Sequence, residues 1–396
     1  MTSTTSDDVA VLPASSVQET RAAKSGTRDP RLDFFRGAAL FFIFFNHIPD
    51  NTLSWLTNRA WGFSDATEIF VFVSGYAAVL AYGGVAERRG YGLATARIMR
   101  RVWQLYAAHL LLFLAYIAQI AYLSSQAGNP IFNEEMEILD FIRDPHIMVL
   151  QALLLRFRPV NMDVLPLYIV LLASLPLYLW ALPRWPLRVL AVSLVIYAVA
   201  WFGGINLPAW PQQQGWYFNP IAWQLLFVLG AVAGSHRELV TQLGRWRRYL
   251  VPLAVAFLIF SLFVVQSWNF AFLDRLMPRL LARAIYPIDK TNLDLLRLFH
   301  FVALAYLVAL ILHADSPIFR QRWAQPFIVA GRHSLYVFCV GIFLSFTGHF
   351  LLVEISSSVW AQIIVSLCGL AIMTGLAYAL DWYRRAENSA DRGRKA

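Results

Sequence analysis

Cysteine is nearly missing from this 396-residue chain, with Cys339 and Cys368 the only two, both within apolar segments. That excludes a disulfide framework and any metal site built on cysteine pairs. Charged residues are scarce as well, at 14%, against about 25% in an average soluble domain. There is no glycine-rich phosphate loop, zinc motif or serine nucleophile elbow. No internal repeat and no matched pair of broken helices is visible, which argues against a secondary transporter. Residues 1–30 are rich in Ser, Thr and Ala and lack an apolar h-region, so no cleavable signal peptide is expected. They read as a disordered cytoplasmic tail.

What the chain has instead is apolar length. Apolar residues make up 58% of it, and the mean hydropathy is +0.53. Mainly apolar runs fall near 33–49, 66–82, 102–123, 162–182, 187–203, 220–236, 250–268, 295–313, 334–352 and 358–381, each long enough for a membrane helix. The expected fold is therefore an all-α polytopic membrane protein, a single bundle of about ten transmembrane helices. One membrane domain would span 31–382, followed by a basic cytoplasmic tail over 383–396. Two outer loops, 124–161 and 269–294, are long enough to hold structure, and the rest are short.

The net charge of +9 raises the question of nucleic acid, and the distribution of charge answers it. Alternate loops collect 24 of the 33 Lys and Arg, counting Arg36, and leave nine on the opposite face. This bias puts both termini in the cytoplasm and leaves no patch for nucleic acid. The outer face carries 13 of the 24 acidic residues.

Polar residues inside such spans are expensive and point to function. Arg36 opens the first span and His47 closes it, eleven positions or roughly 16 Å along a helix axis. The two lie nearly on one face. Glu68, near the start of the second span, is expected at the depth of His47, where a carboxylate can orient an imidazole as in an acid/base pair. An interhelical hydrogen bond that only fixes packing is the plainer alternative. Ser74 and Gly75 read as a small-residue helix contact. Asn161 and Asp163, then Asn219, Trp223 and Gln224, then Lys290, Arg297 and His300 recur at outer helix ends, a rim whose acidic, amide and aromatic groups suit a sugar. Each alone also reads as a helix cap or loop end. On the inner side Arg31, Arg36, Arg97, Arg100, Arg101, Arg320, Arg322 and Arg332 suit a polyphosphate such as the head of coenzyme A. Positive-inside bias explains most of these, but not Arg36. The remaining histidines lack the spacing of a metal site, and none is expected.

Arg36, ten residues, then His47, followed by Phe-Val-Phe-Val-Ser-Gly-Tyr76, resembles the membrane acyltransferase type 3 superfamily. The fuller pattern is Arg31-Leu-Asp33, Arg36-Gly, Gly62-Phe-Ser with Glu68, Met162-Asp-Val-Leu-Pro166, Asn219-Pro with Trp223-Gln224, Lys290-Thr with Arg297, and Gly331-Arg332-His-Ser-Leu335. It resembles the OpgC branch, succinyltransferases of osmoregulated periplasmic glucans, over about residues 28–382. The resemblance implies a multi-pass protein of the bacterial inner membrane that moves succinyl from cytoplasmic succinyl-CoA to glucan hydroxyls in the periplasm. It also implies glucan-synthesis partners and no permanently bound cofactor. On that reading Asp33, Arg31, Arg36 and Arg332 hold the coenzyme A end and His47 is the general base, with Glu68 or Asp163 orienting it. Asn219, Trp223, Gln224 and His300 meet the acceptor, and Lys290 or Arg297 pairs with the free succinyl carboxylate. A transporter or flippase of an acylated or saccharide substrate, and a non-catalytic partner of a glucan synthase, are the competing classes.

Overall fold

The computed structural model describes residues 29–211 and 215–393. The expected N-terminal tail lies outside them except for Asp29 and Pro30. Ten helices of 16 residues or more are present among the described residues: α1 Pro30–Asn46, α2 Ala66–Arg89, α3 Tyr91–Ala127, α4 Val164–Ala181, α5 Pro186–Gly203, α6 Pro220–Ser235, α7 Arg247–Ser267, α8 Leu295–Ile311, α9 Ser334–Glu354 and α10 Val359–Gly393. No strand occurs among these residues, only an isolated bridge between Pro208 and Gly215. Seven helices are long and apolar enough to cross a membrane, and α6 and α8 are shorter apolar helices.

Each expected span matches one helix, and the mismatches share a cause. α3 starts at Tyr91, eleven residues before its apolar run, and α10 continues to Gly393 through the expected basic tail. Hydropathy ends where water begins, whereas helical hydrogen bonding continues through Arg, Glu and Ala, all good helix formers. Both expected outer loops hold structure, three short helices within 131–153 and two within 271–285.

α1 starts with Pro30 in its first turn, and the Asp29 side chain accepts from the Arg31 N–H at 3.0 Å, a combination that satisfies an otherwise orphaned donor. At its other end His47 is the C-cap. α1 packs on α2, on α9 and on a short helix, Gln325–Arg332, while α2 packs on α6, α3 and α4. Two seams are closed by glycine. A Cβ on Gly75 of α2 would run into the Phe227 carbonyl of α6, and one on Gly230 of α6 into the Phe72 carbonyl of α2. Gly37 and Gly331 do the same between α1 and the short helix. Gly230-Ala-Val-Ala-Gly234 is thus a close-contact motif between α6 and α2. Large apolar side chains such as Leu177, Phe202 and Ile259 point outward, at 69%, 86% and 61% exposed, as a lipid-facing surface requires and a water-facing one does not tolerate.

The first turn of α1 and the α10 residue Asp381 meet at one end of the bundle. Arg332 lies 3.7 Å from Asp33 in the first turn of α1 and 3.8 Å from Asp381 in α10.

Replacing Gly75 by Leu should wedge α2 from α6 and cost about 1–3 kcal/mol, read as lost thermal stability of detergent-purified protein. Leu at Gly92, where nothing lies within 4 Å of the added Cβ, should leave the midpoint within about 0.5 kcal/mol.

Candidate active site

The Gly62-Phe-Ser-Asp65 turn places the key carboxylates. Asp65 caps α2: its side chain accepts from Thr67 N–H at 2.8 Å, and the Glu68 side chain accepts from Asp65 N–H at 2.9 Å, a reciprocal capping box. Glu68 is 0% exposed. Its remaining oxygen accepts from Arg297 Nε at 2.8 Å and lies 2.6 Å from an Arg297 terminal nitrogen. That same nitrogen reaches Asp65 at 3.2 Å, and Lys290 Nζ reaches Asp65 at 2.5 Å. Two acids and two bases therefore cancel in one buried cluster, and none of them is left alone in a low dielectric.

The oxygens of Glu68 are committed to Arg297 and to the Asp65 backbone, and no hydrogen bond joins it to His47 among the described residues. The carboxylates that share a cavity with His47 are Asp65, Glu137 and Asp163, not Glu68. That cavity, of about 540 Å³, has His47, Asn46, Asp65, Asp163, Lys290 and Arg59 on its walls. Nδ1 of His47 is buried without a hydrogen-bond partner, which leaves Nε2 as the nitrogen able to meet a ligand. Asp163 does line the cavity, tied to Arg158 Nε at 2.9 Å. Arg158 also stacks on Trp216, its guanidinium 4.4 Å from the ring centroid. Glu137 and Asn161, both non-glycine residues at positive φ (56° and 74°), line the same cavity. Such backbone strain persists only where the surroundings hold it and clusters at functional sites. Burial, reinforced by the nearby Asp163 charge, pushes the Glu137 carboxyl above the usual carboxylate range.

A second cavity of about 860 Å³ adjoins the first, sharing Asn46, Arg59, Asp65, Tyr217 and Lys290 with it; these two, at the His47 end of α1, are the outer cavities, and the one at the Arg36 end is the inner cavity.

Several expected rim residues turn inward. Asn219 caps α6 and donates to Ile205 O at 2.7 Å and Asn292 Oδ1 at 2.8 Å. Trp223, fully buried, donates to the carbonyls of Lys290 and Thr291 at 3.2 and 3.1 Å. Gln224 bonds the Ser193 hydroxyl and carbonyl, clamping α6 to α5. His300 Nδ1 takes the Ser64 N–H and lies 2.8 Å from its hydroxyl, holding the turn before α2. These groups hold the loops that carry Asp65 and Lys290, since polar groups buried away from water must find partners. None of the four is on the wall of either outer cavity.

At the other end of the bundle, Arg36, Arg101 and Arg332 line a cavity of about 210 Å³ whose walls are Phe70, Ser74, Ala77, Ala78, Ala81, Tyr82, Leu105, Leu165, Tyr168, Ser334, Leu335 and Phe338. Asp33, 2% exposed, lies 3.9 Å from Arg36 and 3.7 Å from Arg332. Arg31 does not join them: its guanidinium is bonded to Asp29 and to the Leu312 carbonyl.

The two ends nearly meet. On α2, Thr67 lines the outer cavity and Phe70 the inner one, and on α4 the same holds of the neighbours Val164 and Leu165. Three residues of helix are about 4.5 Å of rise. The residues that line the two cavities thus come within one turn of each other on α2.

Residues 28–385 match the family model described as OpgC protein. The chain belongs to the OpgC family. Membership implies a transferase, and the apolar helices make this OpgC protein a multi-pass membrane protein. No curated protein matches the chain.

Asp65, Arg59 and the wall segment around Trp210 and Trp216 escaped the reading of the sequence. Asp65-Ala-Thr-Glu68 is a legible capping box, and the aromatic Trp210 and Trp216–Phe218 mark the loop before α6 as more than a connector.

Replacing Glu68 by Gln should leave Arg297 undercompensated and cost about 3–5 kcal/mol, seen as a drop in unfolding midpoint. Adding Arg297→Met should recover part of that loss, and a double variant no more stable than the single one would contradict the pairing.

Proposed function

We propose that this OpgC-family protein is an O-acyltransferase of the bacterial inner membrane, of the acyltransferase type 3 kind, that moves succinyl from cytoplasmic succinyl-CoA to hydroxyls of periplasmic glucans. The observation that carries the reading is the pair of cavities at opposite ends of α1, lined by residues three apart on α2. The loop charges favour an orientation with the Arg36 end in the cytoplasm and the His47 end in the periplasm.

In this reading Arg36, Arg101 and Arg332 receive the phosphates of coenzyme A, with Asp33 fixing the two arginines beside it. The stripe Phe70, Ser74, Ala77, Ala78 and Ala81 gives the thin pantetheine arm its channel. The thioester then reaches His47. Its Nε2 accepts the proton of a glucan hydroxyl as that oxygen attacks the thioester carbonyl. The carbon–sulfur bond breaks, the thiolate leaves and takes up a proton, and the glucan ester forms. Asp65 and Asp163, on the walls of the same cavity, would offset part of the charge of the imidazolium that develops. No covalent enzyme intermediate is required.

His47→Ala should lower glucan ester formation by about 10²–10⁴-fold with the protein still folded and inserted, measured by mass spectrometry of periplasmic glucans and by thiol release from succinyl-CoA. Saccharide movement without thiol release, surviving loss of His47, would identify a transporter instead. Ala78→Phe should fill the inner cavity and abolish thiol release without altering the outer cavities.

A further inference from the structure

We infer that Arg59 reads the free carboxylate of the acyl donor and so sets the preference for a dicarboxylic acyl group over a neutral one. This rests on the transfer reaction proposed above and deepens it.

The two cations first expected in this role are already neutralised. Arg297 is shared between Glu68 and Asp65, and Lys290 is bound to Asp65. Arg158 on the far wall is paired with Asp163. Among the described residues two guanidinium groups on the wall of the His47 cavity, Arg59 and Arg156, carry no hydrogen bond or ion pair. Against them stands one unpaired acid, Glu137. The cavity therefore holds an excess of one positive charge, which suits a ligand with one negative charge.

Position separates the two arginines. Arg156 lines only the first outer cavity, whereas Arg59 lines both, at their junction beside Asn46 and Asp65. The short turn Asn58–Ala60 that carries it is tied on every side. Thr57 donates to Asn46 Oδ1 at 3.0 Å, next to His47 in the chain, Asn58 donates to the Ser64 carbonyl at 3.1 Å, and Gln266 of α7 donates to the Ala60 carbonyl at 2.8 Å. The backbone under Arg59 is fixed while its side chain stays exposed. A planar, permanently charged fork on a rigid base is the arrangement that selects a carboxylate. The second cavity, beyond Arg59, remains open to the acceptor.

The test compares succinyl-CoA with succinamoyl-CoA, in which an amide of the same size replaces the terminal carboxylate. Wild-type protein should prefer succinyl-CoA in kcat/KM, and Arg59→Gln should reduce that ratio about tenfold or more. Arg59→Lys, which keeps the charge without the fork, should fall between. An unchanged ratio in Arg59→Gln, equal use of both donors by wild type, a ratio lost in Arg156→Gln instead, or equal loss of both donors in a folded Arg59→Gln would each overturn the assignment to Arg59. Failure of wild-type protein to release thiol from either donor would instead strike the transfer reaction itself.

Discussion

The outer half of this molecule depends on one buried cluster, in which Arg297 bridges Glu68 and Asp65 while Lys290 reaches Asp65. It joins the start of α2, the first turn of α8 and the Asp289–Asn292 loop, three pieces that do not adjoin in sequence. An unpaired charge at such depth costs several kcal/mol, so the three pieces must keep their register. The acids also sit at the N-terminus of α2, where the helix dipole favours negative charge. His300 braces the turn before Asp65, and Trp223 and Asn219 brace the loop that carries Lys290. The wall facing His47 is rigid because what stands behind it is fully paired.

Packing supplies the second constraint. Glycines bring α2 against α6 and α1 against the Gln325–Arg332 helix until backbones touch. The α2 face that meets α6 carries Phe72, Gly75 and Tyr76, while a different stripe, from Phe70 to Ala81, borders the inner cavity. Four of the five residues on that stripe are Ser or Ala. Small side chains at a helix interface let backbones approach, but the same small side chains opposite Leu105 and Phe338 leave space. The inner cavity is what remains where α2 has small residues and no partner close enough to use them.

Much of this was legible in the sequence. Hydropathy located every long helix, because each must bury or face lipid with an apolar surface, and His47, Asp163 and Lys290, singled out as polar residues at helix ends, line one cavity. What the sequence cannot display is azimuth. Glu68 turns to Arg297 and not to His47, because the nearest strong donor wins a buried carboxylate. Asn219, Trp223, Gln224 and His300 are polar at helix ends, as a sugar rim would be, but they are buried, and their first obligation is to carbonyls, amides and hydroxyls of their own chain. Asp65 was readable from its capping box, which marks a helix start and carries no hint that the cap also carries function. Arg59 had no signal at all, since it belongs to a three-residue turn whose place is set by Asn46, Ser64 and Gln266.

Cavity lining gives the proposed reaction its direction. The inner cavity, of about 210 Å³, is the smaller and carries Arg36, Arg101 and Arg332, which suit an anionic donor. The outer cavities, of about 540 and 860 Å³, are larger and mix acids, bases and aromatic rings, which suit a saccharide. In the proposed transfer the acyl group would travel to the acceptor, and the reaction would occur where the small cavity approaches the large one. On α2 that junction is the turn between Thr67 and Phe70, with His47 on the side of the larger cavity. A base on that side would meet an acceptor hydroxyl rather than the coenzyme A end of the donor, so the same turn of α2 would separate the two substrates and set the distance the acyl group crosses.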